Sequence, residues 1–148
     1  MIKIICVGKI KESFFKEAID EYKKRLSKYT KLEIIEVQDE CNGDILKKEA
    51  TSIMKYINNN DYIITMEIDG NKLSSIELSK KINDTLIINS NITFIIGGSL
   101  GLDDNIKNLS NYKLSFSDLT FPHQLFRIIL LEQIYRSFKI INNESYHK

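Results

Sequence analysis

The sequence has no tryptophan, one proline, two cysteines and two histidines among its 148 residues. Cys6, Cys41, His123 and His147 form no zinc-ligand spacing and no disulfide framework, which excludes a stapled scaffold and points to reduced thiols and no metal. No run approaches the roughly 20 apolar residues of a membrane span. The apolar start Met1 to Val7 is too short, and too soon followed by charge, to be a secretory signal. The expectation is a soluble, cytoplasmic protein with no membrane attachment. Charge of one sign is lacking too: 21 basic against 20 acidic residues leave +1. That excludes a uniform basic field for coating nucleic acid, so any RNA contact must be local.

What is present is one domain's length of chain, 43% hydrophobic and 28% charged, enough to bury about 70% of its unfolded surface around one core. No repeat, linker or low-complexity stretch divides residues 1–148. Ile2 to Val7 is a short, mostly β-branched run closed by Gly8, as in a buried strand. From Lys11 to about Tyr29, Phe14, Phe15, Ala18, Ile19, Tyr22 and Leu26 recur three or four apart, the pattern of an amphipathic helix. Leu32 to Val37 returns to strand character. Asp44 is placed to cap a helix that runs to about Asn58, and Tyr62 to Met66 is a third strand.

Gly70-Asn71 is expected to break the chain, with Ser74 capping a helix through about Ile88. A fourth strand, Ile92 to Ile96, runs into Gly97-Gly98-Ser99-Leu100-Gly101. A short helix from Asp103 to Leu109, a brief strand at Tyr112 to Phe116, the loop Ser117 to Phe121 and a last helix from Pro122 to about Ile141 complete the chain. This alternation predicts an α/β fold: an open, mostly parallel sheet covered on both faces, with ligands at the carboxyl ends of its strands.

Half of the glycines, Gly97, Gly98 and Gly101, follow the fourth strand, where backbone can approach a nucleotide-like ligand without Cβ interference. A tight strand-to-helix connection accounts for them equally well. A dinucleotide fingerprint follows the first strand, which argues against NAD or FAD. The last helix carries Leu125, Phe126, Ile128, Leu130, Leu131, Ile134, Tyr135 and Phe138 in almost every direction, which predicts one face on the sheet and another on a second subunit. His123 and Arg127 fall on apolar faces near its start. A buried arginine needs a partner, either a carboxylate in the dimer interface or a substrate phosphate or carbonyl; His123 is as readily a satisfied core histidine as a functional one. The end of the chain, Tyr146-His147-Lys148, is suited to stack on a base and touch phosphate, or is simply a frayed terminus.

Phe94-Ile95-Ile96-Gly97-Gly98-Ser99-Leu100-Gly101-Leu102, then Leu114 to Leu125, Arg127, Leu131-Glu132-Gln133-Ile134-Tyr135-Arg136 and Tyr146-His147-Lys148 together resemble a known family. It is the RlmH type of large-subunit pseudouridine N3-methyltransferase, of the SPOUT class. Val7-Gly8-Lys9, Tyr22 to Leu26 and Gly70 to Ser75 extend the likeness over the whole chain. The resemblance implies a carboxyl-terminal part threaded as a trefoil knot, a homodimer, and S-adenosylmethionine as cofactor. It places the cofactor contacts on Met66, Gly98 and the loop Ser117, Asp118, Leu119, Thr120, Phe121 and Pro122. The implied reaction is methylation of N3 of a pseudouridine in 23S rRNA, in the stem-loop facing the small subunit, on the assembled 70S ribosome. Arg127 is then expected on a substrate carbonyl or phosphate, with His123, Tyr146 and His147 contacting the base and helping the N3 proton leave. Met66-Glu67 stands where the family usually has Leu-Asp. The competing readings are a SPOUT methyltransferase of another RNA such as tRNA, and a non-catalytic, flavodoxin-like nucleotide-binding module.

Overall fold

A computed structural model describes all 148 residues. In chain order the elements are β1 (Ile2–Val7), α1 (Ser13–Leu26), β2 (Leu32–Val37), α2 (Ile45–Met54), β3 (Asp61–Lys72), α3 (Ser75–Ile88), β4 (Asn91–Ile96), α4 (Asp104–Leu109), β5 (Tyr112–Ser115) and α5 (His123–Ile141). The five strands form one sheet in the order β2-β1-β4-β3-β5, and every pairing is parallel.

β1 shows why the sequence takes this form. All six of its side chains are buried, the signature of a strand covered on both faces. Alternate residues divide between two cores. Ile2, Ile4 and Cys6 join Leu26 of α1, Ile82 of α3 and Leu130, Leu131, Ile134 and Phe138 of α5. Ile5 and Val7 join Ala50 and Ile53 of α2 and Ile106 of α4 on the other face. Lys3 shares that second face and is buried there, its ammonium 3.0 Å from Asp61 and 2.8 Å from the Tyr56 carbonyl. Burial pushes the Asp61 carboxyl upward, but hydrogen bonds from the Asn58 amide, Lys3 and Thr93 outweigh it and leave its pKa below the ordinary value.

Helix starts follow local chemistry. The Asp44 carboxylate accepts from the Lys47 amide at 3.2 Å. Ser74 and Glu77 form a reciprocal capping box at the start of α3, and Asp103 caps α4.

The expected break at Gly70-Asn71 does not occur. β3 continues to Lys72, pairing Asn71 with Leu114 and Lys72 with Ser115 after a register shift that follows Met66. Glycine permits this: a Cβ at position 70 would lie 2.8 Å from the Leu114 backbone. The bulge carries the end of β3 across the top of β5. At α5, Pro122 takes the cap position with extended backbone, and His123 is the first helical residue.

Candidate active site

The carboxyl ends of β3, β4 and β5 converge on a pocket of about 430 Å³, where an open parallel sheet places ligands. Its base is the turn after β4. A Cβ on Gly97 would sit 2.4 Å from the Gly101 carbonyl oxygen, so only glycine allows the backbone to fold back there. The Gly101 amide closes the turn on the Gly98 carbonyl at 3.0 Å. Met66 and Glu67 enter from β3, the loop from Phe116 to Phe121 forms the opposite wall, and His123 and Phe126 enter from the first turn of α5. The loop braces itself: the Ser117 hydroxyl accepts from the Leu119 amide at 3.0 Å, and the Ser115 hydroxyl donates to the Ser117 carbonyl at 3.2 Å. Outside the pocket, the Asp118 carboxylate meets Lys72 at 2.6 Å and fastens the loop to the end of β3.

Of the residues singled out in the sequence, Met66, Gly98, Ser117, Leu119, Thr120, Phe121 and His123 line this pocket together. Asp118 and Pro122 belong to the same loop but do not line it. His123 is exposed at the pocket rather than buried on an apolar face; α5 begins beyond the edge of the core, so its first turn overhangs the site.

Arg127 is buried, 1% exposed, and its partners lie within the same chain. Its Nη1 donates to Glu36 at 2.6 Å and its Nη2 to the Gly8 carbonyl at 3.1 Å, while Nε is buried without a partner. The same Glu36 oxygen accepts from the Ile10 amide at 2.7 Å. The guanidinium thus clamps the turn after β1 to β2 and α5. Burial pushes the neighbouring Cys6 thiol up to about 12, which keeps it protonated and inert.

The chain end is docked rather than frayed. The Tyr146 hydroxyl donates to Glu132 at 2.9 Å, its ring meets Tyr135 edge-on at 5.0 Å, and His147 Nδ1 faces Arg136 Nη1 at 3.3 Å. Glu132 also accepts from Arg136 and from the Tyr22 hydroxyl. These partners lie far from His123: Arg136 is thirteen residues further along α5, about 20 Å at 1.5 Å per residue. One chain therefore does not bring its own tail to its pocket.

Two pocket residues had no sufficient signal in the sequence. Glu67, its side chain 13% exposed, accepts from the Thr65 hydroxyl at 2.6 Å and faces Lys107 of α4 at 3.8 Å. The resemblance matched the first to a family aspartate without giving it a role, and nothing in the spacing of α4 marks the second. No group of three or more His, Cys, Asp or Glu is arranged to hold a metal ion, and no helix is long and apolar enough to cross a membrane.

An all-parallel α/β sheet with a glycine-based pocket after its central strand defines a class. Residues 1–147 match the family described as "Predicted SPOUT methyltransferase". Solved structures show the same fold at low identity. A probable methylase family protein from Haemophilus influenzae superposes with a TM-score of 0.58 at 14% identity, covering 99% of this chain and 70% of that one. A tRNA (m1G37) methyltransferase from Aquifex aeolicus gives 0.52 at 16%, covering 91% and 69%. Much nearer in sequence are proteins named ribosomal RNA large subunit methyltransferase H, from Clostridium botulinum at 54% identity and Clostridium tetani at 53%, each alignment covering 99% of both chains. The chain belongs to the RlmH-type family of SPOUT methyltransferases.

Proposed function

We propose that this protein transfers a methyl group from S-adenosylmethionine to N3 of a pseudouridine in 23S rRNA, in the stem-loop that faces the small subunit of the assembled 70S ribosome, in the cytoplasm. The observation that carries the reading is the glycine-based pocket at the ends of β3, β4 and β5, in a chain 54% identical to a named ribosomal RNA methyltransferase. The pocket suits the cofactor. Its volume lies in the range of about 300–1,000 Å³ usual for small-molecule sites. Ile96, Leu102, Leu114 and Phe126 give it apolar walls for an adenosine, and Glu67 and Lys107 offer the two charges that complement an amino-acid end. Met66, Gly98 and the loop Ser117, Asp118, Leu119, Thr120, Phe121 and Pro122 hold it, Asp118 and Pro122 by fixing the loop. When bound, it supplies an electrophilic methyl on a positively charged sulfur, which leaves as a neutral thioether.

The enzyme works as a homodimer. A pocket some 20 Å from its own tail is completed by Tyr146 and His147 of a second copy. The outward apolar side chains of α5, among them exposed Leu125 and half-buried Ile128, supply the contact. Light scattering at micromolar concentration should give twice the 17.2 kDa chain mass; a monomer would sink this part.

The remaining chemistry is to orient the base and take its N3 proton. Tyr146 is unsuited to take it, because burial and its bond to Glu132 raise the phenol pKa and keep it protonated. Arginine offers only donors, so Arg136 beside His147 Nδ1 leaves the hydrogen on Nε2, where it donates to a base carbonyl. His123, exposed in the pocket, is the group left to accept the proton. Arg127 acts through the clamp on Glu36 and Gly8, as a positioning residue. His123→Ala should lower kcat far more than it weakens cofactor binding, whereas His147→Ala should raise KM for ribosomes. If both variants keep wild-type turnover, the acid–base assignment is lost. Methylation of isolated tRNA and not of ribosomes would replace the substrate while keeping the cofactor site.

A further inference from the structure

A second cavity of about 430 Å³ lies between the end of α1 and the end of α5. Glu21, Lys24 and Arg25 are spaced at i, i+3 and i+4 on one face of α1, and Lys28 follows in the turn beyond its end. Lys139 and Glu144 close the other side, and Tyr29 and Tyr135 form its floor, their rings 6.2 Å apart. The Arg25 guanidinium stands 5.7 Å from the Tyr135 ring.

Both carboxylates in this cleft are already engaged. Glu21 pairs with Arg25 at 2.9 Å, and Glu144 pairs with Lys139 and accepts from the Tyr29 hydroxyl. Lys24 and Lys28 are exposed and make no ion pair. In a chain of net charge +1, this is a local excess of cations, not a share in a general one. Compensation of the α1 dipole explains cations in its last turn. Lys139, in the last turn of α5 and paired with Glu144, has the same explanation, but neither Lys28 beyond the end of α1 nor a concavity floored by tyrosines does. The cleft also shares a wall with the tail site, since Tyr135 meets Tyr146 on its other side.

We infer that this cleft binds the phosphodiester backbone of the RNA substrate beside the target base, with Lys24 and Lys28 as the two free phosphate contacts. The inference rests on the rRNA methyltransferase reading above and names where that substrate is gripped. Tyrosine faces flanked by cations suit a strand of a loop, whose sugars and bases pack on the rings while its phosphates meet the lysines. An RNA that delivers its base to Tyr146 and His147 passes directly over this surface.

The test is the doubly substituted Lys24→Ala/Lys28→Ala dimer. Both side chains are exposed and neither touches the cofactor pocket, so S-adenosylmethionine affinity and kcat at saturating ribosomes should match wild type. KM for ribosomes should rise, and the dependence of log KM on log salt should lose about 1.4, at roughly 0.7 per single-strand phosphate contact. Between 50 and 200 mM salt the variant-to-wild-type KM ratio should therefore shrink about sevenfold. An unchanged KM and salt slope would overturn the inference. So would ultraviolet cross-linking on ribosomes that joins the 24–29 segment to a ribosomal protein and to no nucleotide. Wild-type activity in the same assay tests the methyltransferase reading separately. If wild type does not methylate ribosomes, the same salt slopes measured by co-sedimentation decide the cleft on their own.

Discussion

Replacing Arg127 by methionine removes the charge that holds Glu36 and the Gly8 carbonyl while keeping much of the side chain's apolar volume. Breaking a buried ion pair from one side costs about 3–5 kcal/mol. Here the stranded partner is the Glu36 side chain, 34% exposed, so water recovers part of its solvation and the cost falls to about 2–3 kcal/mol. For a chain of about 150 residues, each kcal/mol shifts Tm by about 2–4 °C. Calorimetry at pH 7 should therefore show Arg127→Met melting about 4–12 °C below wild type. Glu36→Gln in the same chain removes the stranded charge, so the double variant should recover at least half of that loss. A fall under 2 °C, or a double variant that loses the sum of the two single effects, would refute the clamp. Activity measured well below both melting points separates positioning from stability: the clamp reading predicts that reduced activity persists there, because the Gly8 turn and the start of α5, which carries His123 and Phe126 into the pocket, shift together.

Three further outcomes are expected. Asp61→Asn leaves Lys3 buried without its counter-charge and should cost about 3–5 kcal/mol at pH 7; because the folded pKa of Asp61 is depressed, its stabilisation is present above the unfolded value near 3.9 and lost as pH falls through the folded one, so the variant's stability should change less with pH below about 4 in urea titrations. Gly97→Ala puts a methyl 2.4 Å from the Gly101 carbonyl, and titration calorimetry should show S-adenosylmethionine binding lost or weakened by at least tenfold, an effect of at least about 1.4 kcal/mol. Tyr146→Phe removes the donor to Glu132 but keeps the aromatic ring that a second copy brings to the pocket, so it should raise KM for ribosomes while cofactor affinity stays within twofold, about 0.4 kcal/mol.

Much of the fold was legible because its signals are local. β1 and β2 have the expected bounds, since β-branched runs closed by glycine or polar residues declare a buried strand. Asp44 and Ser74 cap the helices they precede because their side chains need only a backbone amide three residues on. Gly70 misled because the same missing Cβ that suits a turn also lets β3 slide over the Leu114 backbone, and only β5, more than forty residues later, decides between them. His123 misled because helical periodicity gives direction around an axis but not where the core ends along it. The buried state of Arg127 followed from the pattern, yet its partner Glu36 is 91 residues away and lies on a half-buried strand with nothing to mark it. The tail's dock on Glu132 was hidden similarly: a carboxylate on a polar seam looks solvated until Tyr22, Arg136 and Tyr146 converge on it.

The central claim is methyl transfer to the Watson–Crick edge of one rRNA base. Purified protein would be incubated with methyl-labelled S-adenosylmethionine and 70S ribosomes from a strain lacking the modification, and the label mapped by reverse transcription. N3 methylation blocks base pairing, so the account predicts one new stop, at a pseudouridine in the 23S rRNA stem-loop facing the small subunit, with matching label. Ribosomes that stay unlabelled while the protein binds S-adenosylmethionine, or label at a site that reverse transcriptase reads through, would contradict it.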